Sequence, residues 1–137
     1  MHMQKQLNYR TQPRQFINIT ADVNTAIRET QTNNGLCNVF LQHTSASLIL
    51  CENADPDVLY DLEHYMQRLV QDAHPAFRHT AEGDDDMSAH IRSVLTCNSI
   101  SIPISNGALN VGTWQGLFLW EHRTQSHQRH VLLTMTS

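Results

Sequence analysis

The segment LCNVFLQHTSASLILCE, residues 36–52, is the most informative about the architecture, because it holds two short strands in direct succession. In LCNVFLQHT, the alternation of a strand places one set of side chains on a single face. That set is Cys37, Val39, Leu41 and His43. SLILCE has the length and apolar content of a second strand. His43 follows a mainly apolar face, so we expect it to point inward.

Three helices are predicted around these strands from capping residues and apolar spacing. The predicted boundaries are Thr20 and Asn34-Gly35 for the first helix, Asp55-Pro56 and the residues before Pro75 for the second, and Asp85 or Asp86 as the cap of the third. The residues expected on buried faces are Val23, Ala26 and Ile27, then Val58, Leu59, Leu62, Met66, Leu69 and Val70, then Met87, Ile91, Val94 and Leu95.

Five more strands are predicted at residues 4–10 and 15–19 and in SISIPIS (99–105), GLFLWEHR (116–123) and HVLLTMTS (130–137). Asn106-Gly107 after SISIPIS indicates a turn. The strands and helices show no regular βαβ alternation. We therefore expect an α+β fold with a largely antiparallel sheet, formed by one domain over residues 1–137.

Composition excludes several classes of protein. The formal net charge is −4 and the 9 Lys and Arg residues are scattered, which argues against a nucleic-acid partner. Three widely spaced cysteines (Cys37, Cys51 and Cys97) argue for a reducing cytoplasm and against a disulfide framework or zinc ribbon. The first residues form no apolar signal segment, and no apolar run is long enough to span a membrane, so no membrane partner is expected.

The histidines are the main chemical signal, with 9 in the chain. His43 and His90 are predicted to point inward from different elements, and His79 lies beside the acidic turn. Together with a carboxylate they predict a site for a divalent ion such as zinc, magnesium or manganese. Glu82 and Asp86 flank the turn and would orient an imidazole or hold Mg²⁺ through water. The alternative is that each histidine only bonds to backbone or carboxylate groups.

Two further segments predict substrate contacts. Thr44 and Ser45 offer hydroxyls to a substrate or phosphate, whereas a serine nucleophile is disfavoured because no G-x-S-x-G elbow is present. Trp114 and Gln115 in GTWQG suit a flat heterocycle, unless the indole belongs to the core. The final pair, Glu121 and Arg123, indicates either a polar pocket or an ordinary ionic cross-link at the surface.

Three segments together resemble the YjbQ-type family: QHTSASLILCENADPDV, RHTAEGDDDMSAHI and NGALNVGTWQGLFLWEHR. The resemblance extends from about residue 4 to the end of the chain. It implies an α+β sandwich of two packed sheets that assembles as a homotrimer. It also implies an accessory thiamine-phosphate synthase activity, in which a pyrimidine pyrophosphate joins a thiazole phosphate and pyrophosphate leaves.

The resemblance also implies functional positions. The motif histidines fall on His43, His79 and His90, which are the predicted metal ligands. Glu82 and Asp86 are the predicted supporting carboxylates from the acidic turn, but the chain departs from the family pattern at Asp86, where many relatives carry Asn. The catalytic residues are His43, Glu52, Glu121 and Arg123, and the substrate-binding residues are Thr44, Ser45, Trp114 and Gln115. In this hypothesis the cation and Arg123 neutralise the leaving pyrophosphate, and Trp114 stacks on the pyrimidine. The alternatives are a metal-dependent phosphatase or hydrolase, and a non-catalytic small-ligand-binding trimer.

Overall fold

The computed structural model describes residues 1–137 and contains two antiparallel sheets and three helices. The larger sheet has the order β1-β8-β3-β5-β6, and its strands are β1 His2–Arg10, β3 Gly35–Leu41, β5 Ser99–Ser105, β6 Ala108–Leu109 and β8 Gln128–Thr136. The smaller sheet has the order β2-β7-β4, with β2 Phe16–Asn18, β4 Ala46–Glu52 and β7 Gln115–Glu121. The helices are α1 Thr20–Glu29, α2 Pro56–Leu69 and α3 Asp86–Leu95. The predicted α+β class is confirmed.

The two successive strands β3 and β4 belong to different sheets. β3 pairs with β8 and β5 in the larger sheet, and β4 pairs with β7 in the smaller one. Val39 and Leu41 of β3 and Leu48 of β4 are fully buried in one shared core. The short turn between them, which carries His43, Thr44 and Ser45, therefore crosses from one sheet to the other.

Helix α1 has the predicted buried residues but different ends. Val23, Ala26 and Ile27 are buried, as expected. The helix ends at Glu29, and Gly35 instead begins β3, where an added Cβ would lie 2.1 Å from the carbonyl oxygen of Thr136. Thr20 is the first helical residue rather than the cap, and its hydroxyl accepts a hydrogen bond from the amide of Leu117.

Helix α2 begins as predicted but buries only part of the predicted stripe. Val70, directly after the helix, is buried, and Val58, Leu59 and Met66 are half-buried. The Asp55 carboxylate accepts a hydrogen bond from the amide of Asp57 at 2.9 Å, and Pro56 is the first helical residue. Leu62 is 36% exposed and Leu69 is 61% exposed. The only buried residue of the helix is Glu63, whose carboxylate accepts hydrogen bonds from the protein interior.

Two buried donors hold Glu63. The indole Nε1 of Trp120 donates to Glu63 at 3.0 Å, and Nη1 of the fully buried Arg92 donates to both carboxylate oxygens at 3.1 Å. The Nε and Nη2 groups of Arg92 have no partner. Removal of either member of an ion pair buried in this way would leave an uncompensated charge and strongly destabilise the fold.

Helix α3 also differs from its predicted packing. Val94 is 84% exposed and Leu95 is 56% exposed, so the expected apolar face is wrong at this end of the helix. The buried residues of α3 are Asp86, Ser88, Ala89 and Arg92. Three of these are polar, and each is accommodated because a specific partner meets it. Ser88, for example, donates to Asp72, whose carboxylate also binds Arg14.

His122 is a second buried polar group in this region. It is fully buried, and its Nε2 lies 2.6 Å from the hydroxyl of Ser47. Burial, together with the positive charges of Arg92, Arg14 and Arg129, lowers the pKa of His122 to about 3. The imidazole is therefore neutral throughout the physiological range.

None of the three helices combines the length and apolar composition that a membrane crossing requires.

Candidate functional site

His79, Asp86 and His90 form the one cluster of metal-binding side chains in the structure. One ligand atom from each residue lies within 4.8 Å of the other two. The Asp86 Oδ2 atom is 2.7 Å from Nε2 of His79 and 3.0 Å from Nε2 of His90. Asp86 and His90 are four residues apart at the start of α3, so they share one helix face. His79 approaches from the preceding loop.

The hydrogen bonds of His90 limit the protonation of this cluster. Nδ1 of His90 lies 3.1 Å from the carbonyl oxygen of Thr44, so this nitrogen must donate. In the neutral ring, Nε2 then carries a lone pair directed at a carboxylate oxygen of Asp86. Two acceptors at this distance repel each other unless a proton or a metal cation lies with them. The geometry therefore suits a cation.

Asp86 is held in place from behind by Arg123. Nη1 of Arg123 donates to Oδ1 of Asp86 at 2.8 Å, and only 3% of the Asp86 side chain is exposed. Burial alone would raise the pKa of Asp86. The hydrogen bond from His79 and the charges of Arg123 and His90 outweigh that effect, so the pKa lies below its ordinary value. The Asp86 carboxylate is therefore ionised at neutral pH.

Arg123 also holds the rest of the acidic turn. Its Nε donates to Asp85 at 3.0 Å, and its Nη2 donates to the carbonyl of Glu82 at 3.0 Å. Asp85 occupies the N-cap position of α3, but its carboxylate binds Arg123 and Thr124 rather than a helix amide. Burial opposes ionisation of Asp85, and these bonds bring its pKa well below the usual range. The guanidinium of Arg123 is thus occupied by this turn.

Glu121 takes a structural position instead of the expected catalytic one. It is fully buried, and its carboxylate accepts from Nε of Arg129 at 2.8 Å and from the hydroxyl of Thr11 at 2.7 Å. Its second oxygen accepts from the amide of Arg123. Burial raises the pKa of Glu121, but these donors outweigh it and the pKa is lowered. No substrate can reach this carboxylate.

The residues of the turn between β3 and β4 bind different partners. Ser45 is buried, and both its hydroxyl and its carbonyl accept from Arg129. Thr44 is exposed, and its carbonyl orients His90. His43 does not join the metal-binding cluster, because its Nε2 accepts a hydrogen bond from the amide of His130 at 2.8 Å.

A cavity of about 310 Å³ connects His43 to the cluster. Its lining contains no acid and no Lys or Arg, and consists of His43, Thr44, His90, Ser93, Val94, Thr96 and Asn98. His90 belongs both to this cavity and to the candidate metal-binding cluster, so the two are adjacent.

Glu52, Trp114 and Gln115 lie at the other end of the smaller sheet. Glu52 pairs with Gln115 across β4 and β7, whereas Ala46 pairs with Glu121 at the opposite end. Six residue steps along a strand are about 20 Å. The Glu52 carboxylate accepts from the amide of Asp55 at 3.0 Å, and Gln115 closes its own loop through Gly112 at 2.8 Å. Trp114 is 65% exposed and is not part of the core.

The structure therefore divides the predicted site residues into three groups. Glu52, Trp114 and Gln115 lie at the far end of the smaller sheet, and the side chains of Ser45, Glu121 and Arg123 are bound within the protein. His43, Thr44, His79, Glu82, Asp86 and His90 lie around the cluster and the neighbouring cavity. Glu82 is peripheral, since its carboxylate lies 4.0 Å from Nε2 of His79 and its side chain is 65% exposed. Asp86, predicted to act from behind the ligands, instead lies between both imidazoles. Its spacing of four residues from His90 was the signal for this role.

Comparisons with known proteins agree over almost the whole chain. The sequence model of the family described as "UPF0047 protein YjbQ-like" matches residues 5–137. The UPF0047 protein sll1880 of Synechocystis is 51% identical over 123 residues, covering 90% of this chain and 84% of that protein. The UPF0047 protein YjbQ of Escherichia coli O157:H7 is 38% identical over 136 residues, which is 98% of each chain.

Solved structures share the same fold. A YjbQ/UPF0047 family protein from Clostridium acetobutylicum superimposes with a TM-score of 0.87 at 33% identity, covering 96% of this chain and 99% of that one. A YbjQ-like protein from Sulfolobus solfataricus, at 20% identity, gives a TM-score of 0.89 and supports the fold alone. With the family match, the packed sheets and the three motif segments in place, the chain belongs to the YjbQ-like UPF0047 protein family.

Proposed function

We propose that this protein is a metal-dependent transferase that acts on phosphorylated heterocycles, with thiamine-phosphate synthase-type chemistry. In that reaction a pyrimidine pyrophosphate and a thiazole phosphate give thiamine phosphate and pyrophosphate. The observation that supports the proposal most is the position of Asp86 Oδ2 between the Nε2 atoms of His79 and His90. A carboxylate and two imidazoles directed at one point are a donor set that binds a divalent cation.

The residues around the cluster fit a bound cation. The carbonyl of Thr44 fixes the ring of His90 through Nδ1, and Arg123 binds the Asp86 oxygen that faces away from His79 and His90. Metal-binding histidines and carboxylates in proteins are usually oriented in this way. Imidazole ligands favour zinc over magnesium. When bound, the cation would neutralise negative charge on the phosphoryl oxygens of the substrate.

The chain's own groups then have distinct tasks. Asp86 stays ionised because Arg123 faces it, and His79, whose side chain is 42% exposed, leaves the cluster open to a ligand. The cavity beside His90 receives the part of the substrate that carries no charge. Arg123 and Glu121 act by holding the turn and the sheet, not by contacting the leaving group.

We also propose that the working form is a homotrimer. The exposed apolar residues of α2 include Tyr60, Tyr65 and Leu69, and they flank a groove lined mainly by apolar residues. Burial of such a face in a subunit contact would remove apolar surface from water. A second copy is also the means by which Trp114 and Glu52, about 20 Å along the strands, would reach a substrate bound at the cluster.

The transferase assay is the direct test. Purified protein would be loaded with zinc or manganese and mixed with the pyrimidine pyrophosphate and thiazole phosphate, and thiamine phosphate would be measured. We expect turnover to require metal and to be lost in Asp86→Asn and His90→Ala. His2→Ala removes an exposed imidazole of β1, outside the cluster and the α2 groove, and it should retain full activity. Equal activity of all these proteins, or activity in the presence of a chelator, would contradict the proposal.

A metal-dependent phosphatase is the second candidate, and one observation favours it. Arg123 and Glu121, two of the groups expected to serve the transfer reaction, are occupied inside the protein. The cluster and its cation would be sufficient for hydrolysis of a phosphate ester. Metal-dependent release of phosphate without any thiazole acceptor would identify this activity. Retention of thiamine phosphate without turnover would instead identify a non-catalytic binding protein.

We place the protein in the reducing cytoplasm as part of the same proposal. Its three cysteines are all free thiols. Proteins of oxidising compartments usually pair their cysteines.

A further inference from the structure

His43 interrupts the ladder of hydrogen bonds between β3 and β8. Gln42 follows the last residue of β3, and its amide donates to the carbonyl of His130 at 3.3 Å. In a regular antiparallel ladder the two residues of such a pair exchange both bonds, so the amide of His130 would donate to the carbonyl of Gln42. It donates instead to Nε2 of His43 at 2.8 Å. The imidazole takes the place of a backbone acceptor.

This bond determines which nitrogen of His43 carries the proton. A backbone amide can only donate, so Nε2 of His43 must present its lone pair. The neutral ring then has its proton on Nδ1. Burial lowers the pKa of His43, the charges of Arg129, His130 and His127 lower it further, and only Glu121 opposes them. The ring is therefore neutral at physiological pH and offers one donor.

The remaining donor belongs to a side chain that lines the cavity. Nδ1 of His43 forms no hydrogen bond with the protein and is open to solvent. His43 lines the cavity together with Thr44 and His90, and no charged Asp, Glu, Lys or Arg side chain lines it. A cavity with neutral donors and no fixed charge suits an uncharged heterocycle that carries an acceptor atom.

We propose that His43 is a substrate-binding residue that donates its Nδ1–H to a ring nitrogen or carbonyl of a neutral heterocycle in this cavity. This inference rests on the proposed function, in which the phosphate of the same substrate lies at His79, Asp86 and His90. It assigns His43 neither as a metal ligand nor as a proton acceptor. Neutral imidazoles act as donors in other enzymes when the fold fixes their tautomer.

Two near-isosteric variants separate the nitrogen atoms of His43. The amide of His43→Asn occupies the place of Nδ1 and keeps a donor there, but loses the acceptor for His130. His43→Gln reaches the place of Nε2 and keeps that acceptor, but loses the Nδ1 donor. The probes are thiamine phosphate and inorganic phosphate, each titrated calorimetrically into zinc-loaded protein. Amide NMR spectra and thermal unfolding would establish that both variants fold.

We expect His43→Gln to weaken thiamine phosphate binding roughly tenfold, which is the loss of about one hydrogen bond. His43→Asn should stay within about threefold of the wild type on the same argument. Inorganic phosphate, which lacks a heterocycle, should bind all three proteins equally. Equal affinity of the two variants for thiamine phosphate, or the opposite order, would overturn the inference.

Nitrogen-15 NMR of the wild-type imidazoles gives a readout that needs neither ligand nor turnover. At neutral pH, His43 should show a protonated Nδ1 and an unprotonated Nε2. The reverse tautomer would overturn this inference while leaving the proposed function intact. Failure of wild-type protein to bind thiamine phosphate would instead overturn the proposed function, and with it the ligand assigned to His43.

Discussion

Asp86 is the residue on which the chemistry of the cluster depends. One oxygen lies between two imidazoles, and the other is bound by Arg123. A single carboxylate thus joins the candidate metal ligands to the turn that positions them. Its neighbours Asp84 and Asp85 carry the same charge but have different surroundings. Asp84 is exposed, and Asp85 is turned toward Arg123 and Thr124.

Asp86→Asn should abolish tight binding of a divalent ion. Replacement of the carboxylate removes an anionic ligand. Loss of a residue that only supports a ligand lowers metal affinity by up to about 100-fold, so we expect zinc affinity to fall by at least that factor. Isothermal titration with zinc measures this directly. Asp84→Asn makes the same change in charge two residues away at an exposed position, and it should bind zinc as the wild type does. Similar affinities for the two variants would argue against the cluster.

Because of His122, the free energy of unfolding should depend on pH at values above those at which carboxylates usually titrate. Its folded-state pKa is about 3 against an ordinary 6.5, so the unfolded chain takes up a proton first as the pH falls. The contribution of His122 to the free energy of unfolding is fully present above the unfolded-state pKa of 6.5 and decreases as the pH falls below it. Between pH 6.5 and 4.5 we expect a loss of about 2 kcal/mol in the free energy of unfolding.

Urea unfolding at a series of pH values tests this prediction. His122→Gln keeps a polar group near Ser47 but cannot titrate, so it should flatten the curve in this window. His64→Gln removes an exposed imidazole and should follow the wild-type curve. A curve that remains steep in His122→Gln would assign the pH dependence to another group.

At the scale of elements, polar contacts position α2 and α3 more than the sequence pattern indicates. The capping residue Asp55 and the run of strands were readable from the sequence, because caps and alternation are local signals. The buried faces were not readable, because Glu63 and Arg92 meet only through the tertiary fold, 29 residues apart. Periodicity counts apolar residues and cannot detect a charge pair that replaces them.

Glu63→Ala should destabilise the protein by about 3–5 kcal/mol, because it leaves a fully buried arginine without its counter-charge. The indole of Trp120 would also lose its acceptor. Chemical denaturation of the variant measures the loss. The double variant Glu63→Leu, Arg92→Met removes both charges and should recover most of it. A loss below about 1 kcal/mol in the single variant would mean that the pair contributes little.

The exposed apolar face of α2 carries its own prediction. Tyr65 is 68% exposed, so Tyr65→Glu should leave the subunit folded while it places a charge in the proposed subunit contact. Light scattering after gel filtration should show a trimer for the wild type and a monomer for the variant. Ala21→Glu adds the same charge at an exposed position of α1 and should remain trimeric. A trimer in both variants would place the contact elsewhere.

At the scale of the whole molecule, the two sheets determine which predicted site residues can meet. The turn from β3 to β4 and the start of α3 bring Thr44 and His90 into contact. β4 and β7 carry Glu52 and Gln115 to the far end. The sequence predicted the histidines and the acidic turn as functional, because those residue types gather in one short segment. It could not predict that His43 would bond to His130, since that contact spans 87 positions and two strands.

Zinc binding by His79, Asp86 and His90 is tested most directly by a crystal structure of the protein grown with zinc, with anomalous diffraction recorded at the zinc edge. We predict one strong peak about 2.0–2.2 Å from Nε2 of His79, Nε2 of His90 and a carboxylate oxygen of Asp86. His43 would remain bonded to the amide of His130. A map with no peak at these three residues, or with zinc bound to His43 instead, would contradict the account.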